Sequence, residues 1–160
     1  MDPHTTRFAD RFAALFESDG QPPIAGRIFG LLLLSDEALS LDELADALDV
    51  SKASASTNAR LLAQFGLIEQ VHREGSRRDY YRMAPDLFER SMALRLSRWR
   101  RFTELIGEGR RTLPVASPEV RARLEQYESA FSYMADAIAR AMVHWRAAPP
   151  RRLAATGSGR

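Results

Sequence analysis

The 160-residue chain contains no cysteine. That excludes a disulfide framework, a thiol nucleophile and a cysteine zinc site, and it permits a reducing cytoplasm. Lysine is almost as scarce: Lys52 stands alone among 23 basic residues, the rest being arginine. The plain alternative to a functional reading is a GC-rich genome, in which arginine codons replace lysine codons. Long apolar runs are missing too. The longest, residues 28–34, carries Gly30 and falls far short of the roughly 18–20 residues a membrane helix needs. The N-terminus, with Asp2, Asp10 and phenylalanines, lacks the basic and apolar regions of a signal peptide. The expectation is a cytoplasmic protein without a membrane partner.

Signatures of catalysis are equally sparse. His4, His72 and His144 are dispersed, with no spacing suited to a metal. No glycine-rich phosphate loop and no Gly-x-Ser-x-Gly elbow occurs. The paired carboxylates Asp36-Glu37 and Asp42-Glu43 fall at expected helix starts, where capping and the helix dipole account for them. No catalytic residue, metal site or cofactor is expected, and the chain does not read as an enzyme.

What is present is an ordinary globular composition, 45% hydrophobic and 28% charged. At 18.0 kDa it suits one domain, or one small domain with helical extensions. The net charge of +2 conceals a segregation. Residues 1–50 hold three basic and ten acidic side chains, residues 51–101 eleven and five, and residues 102–160 nine and six. Codon bias does not explain that clustering, so a polyanion would meet the middle third. Arginine there offers a planar fork suited to phosphates and guanine edges.

Phe8, Phe12, Leu15 and Phe16 recur at helical spacing until Gly20. Pro22-Pro23 opens a second helix that is apolar nearly all round, and therefore buried. Ser40-Leu41-Asp42-Glu43 is a capping-box pattern. The helix it starts turns at Asp49-Val50-Ser51 into another, expected over 52–65 and stopped by Gly66. The period then changes. Residues 67–73 and 77–83 read as two strands around a Glu74-Gly75-Ser76 turn, with one of Tyr80 and Tyr81 facing the core. Pro85 opens a long helix expected to end near Gly107 or Gly109. Ser117 caps a last helix whose stripe of Val120, Leu124, Tyr127, Phe131, Met134, Ile138, Met142 and Trp145 resembles a heptad repeat.

Helix, tight turn, helix and hairpin describe a winged helix-turn-helix, whose second helix enters the DNA major groove. Placed at 100° per residue, Ala55, Ala59 and Leu62 share an inner face. Ala53, Thr57, Arg60 and Gln64 lie opposite, flanked by Ser54, Ser56 and Leu61. Small side chains allow close approach, hydroxyls bond phosphates or bases, and arginine forks onto guanine. No acidic residue occurs between Ser51 and Gln64, unlike an ordinary solvated helix face. The expected DNA-binding set is Ser51, Lys52, Ala53, Ser54, Ser56, Thr57, Asn58 and Arg60, with Arg73, Arg77 and Arg78 on the wing. A winged-helix protein-interaction module, or a ligand sensor without specific DNA binding, would use the same fold. The interaction module would not need the acid-free outer face of 51–64, and the ligand sensor predicts tight ligand binding and no operator.

The runs Ala25-Gly26-Arg27-Ile28-Phe29-Gly30, Leu41-Asp42-Glu43-Leu44-Ala45, Ser54-Ala55-Ser56-Thr57-Asn58-Ala59-Arg60, Phe65-Gly66-Leu67-Ile68-Glu69 and Arg77-Arg78-Asp79-Tyr80-Tyr81-Arg82, in that order, resemble the MarR family of bacterial regulators, and within it the GbsR-like branch. The likeness is strongest over 24–83. It implies a homodimeric, ligand-responsive transcription factor, a repressor of the kind that binds a pseudo-palindromic operator through 51–65 and 73–79. Many MarR wings carry Asp-x-Arg where this chain has Gly75-Ser76-Arg77-Arg78, which puts the usual Asp–Arg brace of the wing in question.

The expected architecture is therefore mainly α with a small β-hairpin. An N-terminal dimerisation helix (1–20) precedes a DNA-binding winged helix-turn-helix (21–84), long dimerisation helices (85–146) and a disordered tail (147–160). Phe8, Phe12, Leu124, Phe131, Met134, Ile138 and Trp145 would pair with a second copy across a two-fold axis. Recognition helices would then sit roughly 34 Å apart, one DNA turn. Trp99, Phe102, Tyr127 and Phe131 are the candidates for a pocket holding a small apolar or cationic effector, with dimer core as the plainer role for such rings.

Overall fold

The computed structural model describes residues 2–114 and 117–147. The tail expected over 147–160 lies, apart from Ala147, outside them. The elements run α1 (Pro3–Ser18), α2 (Pro23–Leu33), β1 (Leu39–Ser40), α3 (Leu41–Leu48), α4 (Lys52–Gln64), β2 (Ile68–Val71), β3 (Tyr80–Met83), α5 (Leu87–Thr112) and α6 (Pro118–Ala147). They form two compact units, one ending at Ser91 and one starting at Met92.

In the first unit, α1 starts where the Asp2 carboxylate accepts the His4 amide at 2.8 Å, with Pro3 at the first helical position. The helix expected as a segment of its own packs along α2, at the two glycines of α2. A Cβ on Gly30 would stand 2.9 Å from the Cα of Ala9. Phe12 and Phe29 meet at 5.1 Å between ring centroids, with Phe8 against Phe12 at 5.1 Å and Phe16 against Phe29 at 5.9 Å. Arg27 of α2 pairs with Asp10 of α1 at 3.0 Å and donates to the Leu48 carbonyl, the last residue of α3, at 2.9 Å.

The capping box is formed. The Glu43 carboxylate accepts from the Ser40 amide (2.6 Å) and hydroxyl (2.7 Å), and the Glu43 amide donates back to Ser40 Oγ (3.2 Å). Asp49 ends α3 in the left-handed region, at φ 52°. Ser51 then caps α4, its Oγ accepting from the Ser54 amide at 3.1 Å. Gly66 closes α4 at φ 69°, a conformation that costs glycine nothing. Ile28, Leu32, Leu44, Leu48, Ala55, Ala59, Leu62, Ile68 and Tyr81 bury together as the core.

The sheet differs from a bare hairpin. It has three antiparallel strands in the order β1-β3-β2, with Leu39 opposite Tyr81 and Ser40 opposite Tyr80. A two-residue strand has no period to read, which hid β1 in the sequence. The strands of the hairpin are also shorter than expected, leaving residues 72–79 as the wing tip. Of the two tyrosines, Tyr81 is the core residue and Tyr80 is half-buried.

The second unit holds most of α5 and all of α6. The α5 helix passes through Gly107 and Gly109 rather than ending there. Gly107 is buried because α6 comes close: a Cβ would stand 2.8 Å from Glu128 Oε1. Arg110 pairs with Glu128 (3.0 Å) and Glu125 (3.4 Å). Ser117 Oγ accepts from the Val120 amide at 3.3 Å, the expected cap of α6. Among the described residues, no helix is long and apolar enough to cross a membrane.

Candidate nucleic-acid interface

The α3–turn–α4 pair presents one clean outer face. Lys52, Ala53, Thr57, Arg60 and Gln64 are exposed, Ser54 and Ser56 half-exposed, and Ser51 exposed at the start. Ala55, Ala59 and Leu62 bury beneath, as the 100° placement requires. Asn58 departs from the expected DNA-facing set. It is 8% exposed, and its amide donates to the Ser54 carbonyl at 2.9 Å, which turns it inward along the helix. Arg60 lies back along α4, its Nη2 on Ser56 Oγ (2.7 Å) and its Nε on the Ser56 carbonyl (3.3 Å).

The wing arginines have different surroundings. Arg73 is held three ways. It reaches Glu37 at 3.1 Å and the Ala38 carbonyl at 2.8 Å, and its guanidinium covers the Tyr80 ring at 4.4 Å. Arg78 approaches Asp42 at 4.0 Å. Arg77 is exposed and, among the described residues, has no ion-pair partner. The tip is ordered by Ser76, whose Oγ accepts the Arg78 amide at 3.1 Å, and by Gln70, whose amide donates to Asp79 at 2.7 Å. At the wing's base Glu69 joins Arg82 of β3 (2.8 Å) to Arg90 of α5 (2.5 Å).

Sequence reasoning read Asp42 as a helix-start carboxylate. The fold gives it further company: Lys52, at the start of α4, stands 2.8 Å away. The segregated charge of the first and middle thirds was the available signal, since opposite blocks attract once folded.

The aromatic candidates of the second unit come together. Phe131 of α6 is stacked on Phe102 at 5.0 Å, with Trp99 and Tyr127 each 6.3 Å away. The rings lie against one another. Leu124 and Ile138 are half-buried, Trp145 likewise, and Met134 is exposed. No three His, Asp or Glu side chains among the described residues are placed to hold a metal ion.

Two helices across a tight turn, the second with an acid-free outer face, beside a hairpin with an arginine tip, define a winged helix-turn-helix protein. No family model matches the chain. It is 35% identical over 142 residues to the HTH-type transcriptional regulator MmpR5 of Mycobacterium tuberculosis, covering 88% of this chain and 86% of that one. It is 26% identical over 90 residues to the HTH-type transcriptional repressor OpcR of Bacillus subtilis, covering 56% of this chain and 49% of OpcR. A crystal structure described as that of a transcriptional regulator matches with a TM-score of 0.84 at 34% identity, covering 91% of this chain and all of that one. The chain belongs to the family of HTH-type transcriptional regulators that includes MmpR5.

Proposed function

We propose that this chain is a cytoplasmic, homodimeric, ligand-responsive repressor of the MarR family, in its GbsR-like branch. It binds a pseudo-palindromic operator with α4 in the major groove and the wing on the flanking backbone. The outer face of α4 carries the proposal: Arg60 stands among small and hydroxyl side chains, with no acidic residue on the helix. The name of OpcR supports repression as the direction of control. Pairing of two copies is supported by the second unit, where Leu105, Tyr133 and Val143 are each about two-thirds exposed.

The cluster of Trp99, Phe102, Tyr127 and Phe131 supports an effector that is apolar or cationic, since stacked rings attract both. Such a ligand would act by favouring a dimer whose recognition helices are misplaced for the operator.

The test is binding to the intergenic DNA upstream of the chain's own coding region, against excess unrelated duplex, over a salt series. Saturable binding that survives the competitor is expected. Equal, low-salt-only binding to both duplexes would leave a general polyanion surface and favour a protein-interaction module instead.

A further inference from the structure

Three of the cations on the DNA-facing side already hold carboxylates of the same chain. Lys52, at the start of α4, is 2.8 Å from Asp42 Oδ1, and Arg78 of the wing is 4.0 Å from Asp42 Oδ2. Arg73 holds Glu37. These acids come from the acidic first third and the cations from the basic middle, so folding lays one block against the other.

The two carboxylates are not equivalent. Arg73 is also fixed by the Ala38 carbonyl and the Tyr80 ring, so its pair is part of how the wing is built. Lys52 and Arg78 have no such anchorage. Their side chains are 62% and 65% exposed, and Asp42 is the carboxylate they share, with the charge of Glu43, itself bound to Ser40, also near Arg78. A phosphate oxygen approaching Lys52 must take the place where the Asp42 carboxylate sits, or bind beside a like charge.

We propose that Asp42 is an internal competitor for DNA phosphate, a brake that lowers the affinity of the whole interface by occupying Lys52 and Arg78. This rests on the DNA-binding reading above and deepens it: affinity is set by an acid on α3 as well as by the basic residues of α4 and the wing. A brace would instead need anchored partners, as Arg73 has. Two long, solvent-exposed side chains gain little order from an ion pair but lose a phosphate partner to it. The hydrogen bond from Lys52, followed by the charge of both cations, holds the Asp42 carboxyl below the usual range. The competitor is thus charged at any pH where DNA binding is measured.

The experiment titrates unrelated duplex DNA with the full chain and with Asp42→Asn over a salt series, with melting temperatures recorded. Asparagine keeps the size of the side chain in the first turn of α3; Asp42→Ser provides a second, smaller uncharged variant. Both are expected to bind about three- to fivefold more tightly, with a salt slope steeper by about 0.9, one further phosphate neutralised. In a Lys52→Gln/Arg78→Gln background the same substitution should change affinity by less than about twofold, because the brake acts through those two cations.

Equal or weaker binding by both variants, measured well below each one's melting temperature, overturns the proposal and makes Asp42 a brace or a bystander. A gain that persists in the Lys52→Gln/Arg78→Gln background overturns it as well. The comparison is read on unrelated DNA, so it does not depend on an operator. Wild-type protein that fails to prefer its upstream DNA defeats the operator reading while the Asp42 result still stands or falls by its own slope. Failure of every protein to bind any duplex defeats both.

Discussion

A Cβ on Gly26 would stand 2.4 Å from the carbonyl oxygen of Phe12 and 2.6 Å from its carbonyl carbon. The atoms in the way are backbone, so no rotamer change relieves the contact. The absent side chain is what lets α1 lie directly on α2. With Gly30 one turn later, it fixes the aromatic run of Phe8, Phe12, Phe29 and Phe16.

Gly26→Ala should therefore destabilise the first unit by about 1–3 kcal/mol, the range for overpacking a well-filled contact. That outweighs the roughly 1 kcal/mol by which alanine is the better helix former. A melt followed by circular dichroism checks the sign. A raised melting temperature would show that α1 shifts away freely and is only loosely tied.

Arg60→Ala should lower affinity for the operator by about 10- to 100-fold, the worth of a good bidentate base contact. Its affinity for unrelated DNA should change much less. The dimer should be unaffected, because Arg60 is exposed on α4 and its hydrogen bonds go to Ser56 of the same helix. Operator affinity unchanged in a quantitative gel shift would remove α4's outer face from the reading.

The wing separates two arginines that look alike in the sequence. Arg77→Ala should flatten the salt slope by about 0.9, since its exposed guanidinium is available for one phosphate. Arg73→Ala should instead loosen the wing, because Glu37, Ala38 and Tyr80 all lose their partner. Hydrogen exchange of the amides of residues 72–79 should quicken in the Arg73 variant and stay unchanged in the Arg77 variant.

Those contrasts also show what the sequence carries and what it does not. The inner face of α4, the capping box at Ser40 and the stop at Gly66 are local chemistry, readable from spacing and residue type. The docking of α1 on Gly26 and Gly30 is a contact between helices, and a glycine in a helix pattern does not announce its neighbour. Asn58 reads as polar and outward until its amide finds the Ser54 carbonyl. Gly107 and Gly109 read as a helix end, but α5 runs on through both to Thr112, with Glu128 of α6 beside Gly107. Strand β1, two residues long, is legible only through its pairing with Tyr80 and Tyr81 of β3.

Glu69 should give stability a defined acid limit. Burial pushes its carboxyl up, but hydrogen bonds and charge from Arg82 and Arg90 outweigh that and hold it below the usual glutamate range. A carboxylate depressed in the folded state stabilises above its unfolded value, and that contribution disappears as pH falls through the folded one. Glu69→Gln should cost about 1 kcal/mol at neutral pH. The gap between the two proteins should narrow as the pH drops below about 4. Parallel melting curves across pH 3–7 would instead leave Glu69 without net effect.

The second unit buries little of itself. Among its described residues, Gly107, Ala135 and Met142 are buried, while Leu105, Tyr133 and Val143 stand in solvent. A chain that leaves so much apolar surface open should pair with a copy, since a two-fold contact covers the same patch on both partners. Sedimentation at micromolar concentration should give twice the 18.0 kDa chain mass. Met134→Glu makes the test sharper. Met134 is 42% exposed, so glutamate there costs a monomer almost nothing but places a charge inside a dimer contact. The variant should sediment as a monomer and lose operator affinity steeply, because each half-site is then held alone. A wild-type monomer, or a Met134→Glu protein that stays dimeric, would mean that this face of α6 is not where two copies meet.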